Sequence, residues 1–126
     1  AIKIAKIASH LARGRSAAAS GDAEAELAAY RDAVAEEDTM PYMEPAFWFY
    51  PTRQTLGAAL LRHDQVAEAE KVFREDLEFW PDNAWSVHGL RVALEKQDRT
   101  DELRKSDAIY AAAWQHADIK PRLEMF

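Results

Sequence analysis

The sequence predicts an all-α protein: an α-solenoid of three helix-turn-helix repeats, with six helices in a right-handed superhelical stack. Three observations predict it. All five prolines fall at punctuation points: Pro41, Pro45 and Pro51 bracket one irregular stretch, Pro81 marks a second junction, and Pro121 follows the last periodic segment. The proline-free intervals are rich in Ala, Leu, Glu, Lys and Arg, and their apolar residues recur at spacings of three and four rather than alternating. An acidic mark also repeats: Asp22, Asp64 and Asp98 are followed four residues on by Glu26, Glu68 and Glu102, and then by Leu27, Ala69 and Leu103.

Each element follows from these marks. Ile4, Ile7 and Leu11 carry a first helix over 2–19. An aspartate at the N-cap accepts a free amide of the first turn, and the glutamate after it lies near the positive end of the helix dipole. Each mark therefore predicts the start of a second helix, over 22–38, 65–79 and 99–117, with first helices over 52–62 and 83–96 between the junctions. Asp64 and Asp98 are 34 residues apart and Asp22 and Asp64 are 42 apart, one unit of 34 plus an insertion of eight. The chain divides as a single domain over 1–126. Repeat 1 covers about 1–38, an aromatic and proline-rich insertion 39–51, repeat 2 about 52–81, repeat 3 about 82–117, and a tail 118–126.

The residues within the period point to a family. In the middle unit Leu56-Gly57 is followed by Leu60, by Ala69 and Phe73 four apart, and by Pro81, with Arg53 at the place of an opening tryptophan. The third unit keeps Trp85 and Gly89 four apart with His88 for the leucine, and its second helix lacks the small-then-aromatic pair. The first keeps Gly14, Gly21, Tyr30 and Ala33, with Glu26 near the place of the alanine. This frame resembles the tetratricopeptide repeat. Glycine in one helix and alanine in the next let antiparallel helices approach closely, and Tyr30, Phe73 and Trp85 are expected to fill the gaps between neighbours.

The run Glu44-Pro45-x-x-Trp48-x-Tyr50-Pro51-x-Arg53, with Leu56 to Leu61, Phe73 to Leu77 and Pro81-x-Asn83-x-Trp85, is similar to the C-terminal part of bacterial tetratricopeptide-repeat proteins whose function is not established. That resemblance covers most of the chain. It implies that Ala1 is an internal cut, that longer members carry further helical repeats and histidine-containing motifs upstream, and that any metal-dependent or hydrolytic activity lies there. Arg99 stands where a glycine is usual before the last helix, and His63 and Asp98 stand near turn positions often held by glycine.

Composition narrows the function classes. Sixteen basic against twenty-two acidic residues give a net charge of -6, which offers no footprint for a nucleic-acid backbone or an anionic membrane. No apolar run reaches the roughly 20 residues that span a bilayer, so a soluble segment is expected. The first helix is cationic, with Lys3, Lys6, Arg13 and Arg15 all before the first acid, Asp22, but its apolar stripe holds small residues and no aromatic. With no cysteine, thiolate chemistry, disulfides and thiolate metal sites are excluded. His10, His63, His88 and His116 do not pair at three- or four-residue spacing, so no metal site and no cofactor are expected; His88 is read as a packed or capping histidine. There is no nucleophile elbow and no phosphate loop, and the carboxylates are read as solvated faces and local pairs such as Asp76 with Arg74. No enzyme is expected within these residues.

The insertion is where the chain departs from a generic array. Met40 to Pro51 holds Tyr42, Phe47, Trp48, Phe49 and Tyr50, five of thirteen aromatics, and Phe79, Trp80 and Trp85 add three at the next junction. Such rings either plug the edge of a small core or form a recognition surface of rigid anchors. Arg53, at an inward-facing position, is expected to pair with Glu44 or another carboxylate, since a lone buried guanidinium is costly. The expected function is a non-catalytic module binding a protein or peptide segment, a basic one given the acidic surface. Its candidate contacts are Tyr42, Glu44, Trp48, Tyr50 and Arg53 at the rim, and Gln54, Arg62, Asn83, Ser86 and Leu90 on the inner face. The alternative is a structural or self-associating C-terminal domain of a larger protein whose activity lies upstream. An open array end needs a cap, so Leu123, Met125 and Phe126 are expected to fold back on it.

Overall fold

A computed structural model describes residues 2–41 and 51–116, all helix and connecting turn, with no strand among them. The helices are α1 (Ile2–Ala19), α2 (Ala23–Asp38), α3 (Thr52–Arg62), α4 (Val66–Phe79), α5 (Ala84–Lys96) and α6 (Thr100–Trp114). The second and later starts fall one residue beyond the expected ones except for α3, and α6 stops at Trp114 rather than at 117. Tyr42, Glu44, Trp48 and Tyr50, and the tail residues Leu123, Met125 and Phe126, lie outside the described residues. No helix among the described residues is long and apolar enough to cross a membrane.

Each helix packs on the next in sequence, and α3 also touches α5. Ile7 and Leu11 of α1, Leu27, Tyr30 and Ala33 of α2, Leu56 and Leu60 of α3, Val72 and Phe73 of α4, and Ala93 of α5 form one continuous buried cluster. The expected close approaches are present. A Cβ on Gly14 would overlap the Tyr30 ring, and one on Gly57 would come within 2.6 Å of the Phe73 ring. Trp85 is instead half-buried.

The acidic marks are where expectation and structure part. Asp22 is an N-cap, its carboxylate accepting from the Ala25 amide at 3.0 Å. Asp64 and Asp98 are not: the N-caps of α4 and α6 are Gln65 and Arg99, neither with a side-chain cap bond. Asp64 and Asp98 sit one residue earlier in the left-handed conformation, at φ 57° and 54°, where the first hairpin has Gly21 at φ 76°. All three turns close by the same bond pair. The amides of Asp22, Gln65 and Arg99 donate to the carbonyls of Ala17, Leu60 and Leu94, and those of Gly21, Asp64 and Asp98 to Ala18, Leu61 and Glu95. This is the helix C-terminal turn that demands a left-handed residue, and aspartate tolerates it better than most. The N-caps at 22, 65 and 99 make the units 43 and 34 residues apart, so the insertion is nine residues, not eight.

The same register overturns the alignment of the third unit. Leu94 matching Leu60 sets Leu90 opposite Leu56 and Arg91 opposite Gly57, so Gly89 is not the equivalent glycine. It presses on Phe73 from the far side instead. Asp98→Gly should relieve the turn, raising the melting temperature by about 2 °C, or about 0.5 kcal/mol, in a thermal scan. A fall would show that the Asp98 side chain supports the turn.

Candidate functional site

One end of the helix array, where α2 and α4 finish and α3 and α5 begin, collects Arg53, Gln54, Asn83 and Ser86, four of the six predicted residues that are described. α2 ends at Asp38 and α3 begins after Pro51 at this same end. Pro51 supplies no side-chain cap for α3, so α2 provides one: Glu37 accepts from the Thr52 amide at 2.9 Å and from its hydroxyl. One residue along, Arg53 makes a bidentate pair with Asp38, at 2.6 and 2.7 Å, and lies 3.6 Å from Glu75. Its guanidinium also sits over the Phe79 ring, 5.3 Å from the centroid. The hydrogen bond and charge of Asp38 hold Arg53 above its ordinary value, against the opposing effect of burial. The expected carboxylate partner is therefore Asp38, with Glu75 beside it. Phe79 itself is 60% exposed.

Behind this rim lies a buried polar network. Asn83 caps α5, its side-chain oxygen accepting from the Trp85 amide at 3.2 Å. Its Nδ2 shares its two hydrogens among Gln54 Oε1 at 3.1 Å, Asp76 Oδ2 at 2.8 Å and Ser86 Oγ at 3.2 Å, and Ser86 Oγ donates to Asp76 Oδ2 at 2.6 Å. Three predicted residues, Gln54, Asn83 and Ser86, thus converge on a carboxylate that the sequence reading placed on a solvated face. Asp76 is 1% exposed and makes no pair with Arg74, which bonds Glu70 and Glu102 instead. Burial pushes the Asp76 carboxyl above the usual aspartate range, opposed by the Ser86 and Asn83 hydrogen bonds; Glu37 adds to the rise and Arg53 works against it. Ser86 and Asp76 are both shielded from any substrate, so their short bond is a structural one.

The remaining predicted residues lie apart. Arg62 is at the far end of α3, about 13 Å along the axis from Arg53, bonded to Glu26 at 2.6 Å with His63 on the other carboxylate oxygen at 2.7 Å. Leu90 packs against the core as a partly buried residue. From Gln54 to Leu61 every residue of α3 is buried, so the inner face of the middle repeat is not an open groove.

A second aromatic group was missed. Trp85 meets Trp114 edge-on at 4.9 Å, His88 faces Tyr110 at 5.8 Å, Tyr110 lies 6.5 Å from Trp114, and Arg91 sits 4.8 Å over the Tyr110 ring. Trp114 Nε1 also donates to the Ala84 carbonyl at 3.1 Å. The second helix of the third unit lacks the small-then-aromatic pair but carries Tyr110 and Trp114 four residues apart, the signal in the sequence for this group. Burial lowers the His88 pKa, aided by Arg91 and opposed by Glu95, in keeping with a packed histidine. Among the described residues no three His, Cys, Asp or Glu side chains are grouped so as to hold a metal ion. Compared with protein-family models, curated proteins and solved structures, the chain matches none of them.

Proposed function

We propose that this chain is a right-handed stack of three tetratricopeptide-type repeats acting as a non-catalytic scaffold that binds a basic protein or peptide segment. The repeat reading is supported by contacts that recur in register. Arg31 bonds Glu68 at 2.9 Å, and Arg74, 43 residues after Arg31, bonds Glu102, 34 residues after Glu68, at 2.7 Å. The glycine-on-ring approach recurs in the same way, Gly14 on Tyr30 and Gly57 on Phe73.

The observation that carries the binding reading is the exposed Phe79 ring beside Arg53, Asp38 and Glu75, at the end where the aromatic insertion joins α3. An exposed ring on a chain of net charge -6 suits a partner bringing lysine or arginine with an apolar neighbour. The second reading, a structural or self-associating C-terminal domain, is favoured by the enclosure of α3, which buries Gln54, and by the full burial of Ser86.

The two are separated by titrating a panel of labelled Lys- and Arg-containing peptides against the protein, with sedimentation alongside. Binding that weakens about tenfold in Phe79→Ala, about 1.4 kcal/mol, and falls with added salt is the expected result. Sedimentation mass that rises with concentration, without peptide binding, would favour self-association.

A further inference from the structure

Asp76 is a buried carboxylate on α4, bonded to Ser86 of α5 and to the Asn83 cap that also reaches Gln54 of α3. In the register of the repeats it stands where the first unit has Ala33, a fully buried core residue. Among the described residues no cation pairs with it: Arg53, whose charge acts on it, is engaged by Asp38 and Glu75. Its bonds come from neutral donors on α5, Asn83 and Ser86, both onto Oδ2. The charged groups that act on it are Glu37 of α2 and Arg53 of α3; α5 presents only the neutral amide and hydroxyl.

The network has a fixed polarity. An ionised carboxylate accepts only, so it draws in the Asn83 amide hydrogens and turns the Asn83 oxygen outward to cap the Trp85 amide. A carboxylic acid has a proton to donate, and the acceptors within this network are Gln54 Oε1, Ser86 Oγ and Asn83 Oδ1. Ser86 Oγ is the one that already lies against the carboxylate, 2.6 Å from Oδ2, the oxygen that also takes the Asn83 bond. A proton on Oδ2 donated to Ser86 Oγ reverses the Ser86 bond and leaves Oδ2 a weaker acceptor for the Asn83 amide, at the first turn of α5.

We propose that Asp76 is a proton-operated latch joining α3, α4 and α5: as a carboxylate it holds the Asn83 amide in the orientation that caps α5, and taking up a proton from solvent releases that amide and shifts the seat of Trp85. Trp85 in turn packs on Trp114, so the change is transmitted to α6. The direction of linkage follows from the upward displacement of the Asp76 carboxyl by burial. The folded chain binds this proton more tightly than the unfolded chain does. The stability it contributes is therefore complete below the ordinary aspartate value of about 3.9 and is lost as pH rises through the higher folded value.

The test is intrinsic tryptophan emission between about pH 4 and 8, comparing the native chain with Asp76→Asn, which keeps the shape but cannot ionise. The expected result is a one-proton transition above about pH 3.9 in the native chain that is absent in the variant. Superimposable profiles would overturn the latch. Should Asp76→Asn fail to fold, the native protein itself serves: the Asp76 side-chain carboxyl carbon and the Trp85 indole N–H are followed by NMR through the same titration. A shared midpoint above about 3.9 supports the latch; a midpoint at or below it, or a Trp85 signal that ignores the titration, sinks it.

Discussion

Phe73→Ala should lower unfolding stability by about 3–5 kcal/mol, the range for deleting a fully buried ring, read as a fall in the urea midpoint. The ring is the meeting point of three helices. It belongs to α4, lies against the backbone of α3 at Gly57 and against α5 at Gly89, and is fully buried. Deleting it opens space on both sides, and α5 loses the contact that seats it on α4. The close fit supplies a sharper test than the loss alone. A Cβ at Gly57 would lie 2.6 Å from the ring, so Gly57→Ala should itself destabilise by about 1–3 kcal/mol through overpacking. In the Phe73→Ala background that methyl group fills part of the vacated space, and the same change should become neutral or stabilising. Such non-additivity is what a double-mutant cycle measures. Additive effects of the two substitutions would mean that the ring and the glycine do not share the contact.

Much of this architecture was legible because it rests on one-dimensional signals. Proline positions, helix-forming composition and the Gly57, Ala69, Phe73 frame set the six helices to within a residue or so at most ends. The failures have a common physical origin in residues that can serve two roles. Aspartate is both a good N-cap and one of the few side chains at ease in the left-handed region, and Asp64 and Asp98 take the second role. The choice could have been made from Gly21, which precedes Asp22 and has no counterpart glycine before Asp64 or Asp98. Carboxylates posed the same ambiguity. Glu26 and Asp76 read as surface charge by type, yet aligning the units puts Glu26 opposite Ala69 and Asp76 opposite Ala33, both fully buried alanines. An acid at a position its neighbouring unit fills with alanine is a sign of an internal partner. Which partners were present was not legible: Arg53 had several acids within reach along the sequence, and only the packing of α2 on α3 selects Asp38.

Removing both partners of Glu26 should be nearly as damaging as removing Phe73. Glu26 is 2% exposed, and its two oxygens are held by Arg62 at 2.6 Å and His63 at 2.7 Å, the residues that end α3. A buried carboxylate stripped of its guanidinium and its other hydrogen-bond partner typically costs 3–5 kcal/mol, more than the pair itself contributed, because it is left with neither water nor partner. Arg62→Ala with His63→Ala should therefore lower stability by about 3–5 kcal/mol in urea, whereas either change alone leaves one partner and costs about half as much. The compensating change distinguishes this cause from a simple loss of packing at the end of α3. Position 26 matches Ala69, where alanine sits fully buried in the next unit. Adding Glu26→Ala to the double variant removes the stranded charge and places there the residue that the repeat already accommodates, so most of the lost stability should return. If the triple variant is no more stable than the double, the damage lies in the missing Arg62 and His63 side chains themselves. The carboxylate would then be tolerated by solvent entering the turn, and the clamp between α2 and α3 would be no more than surface pairing.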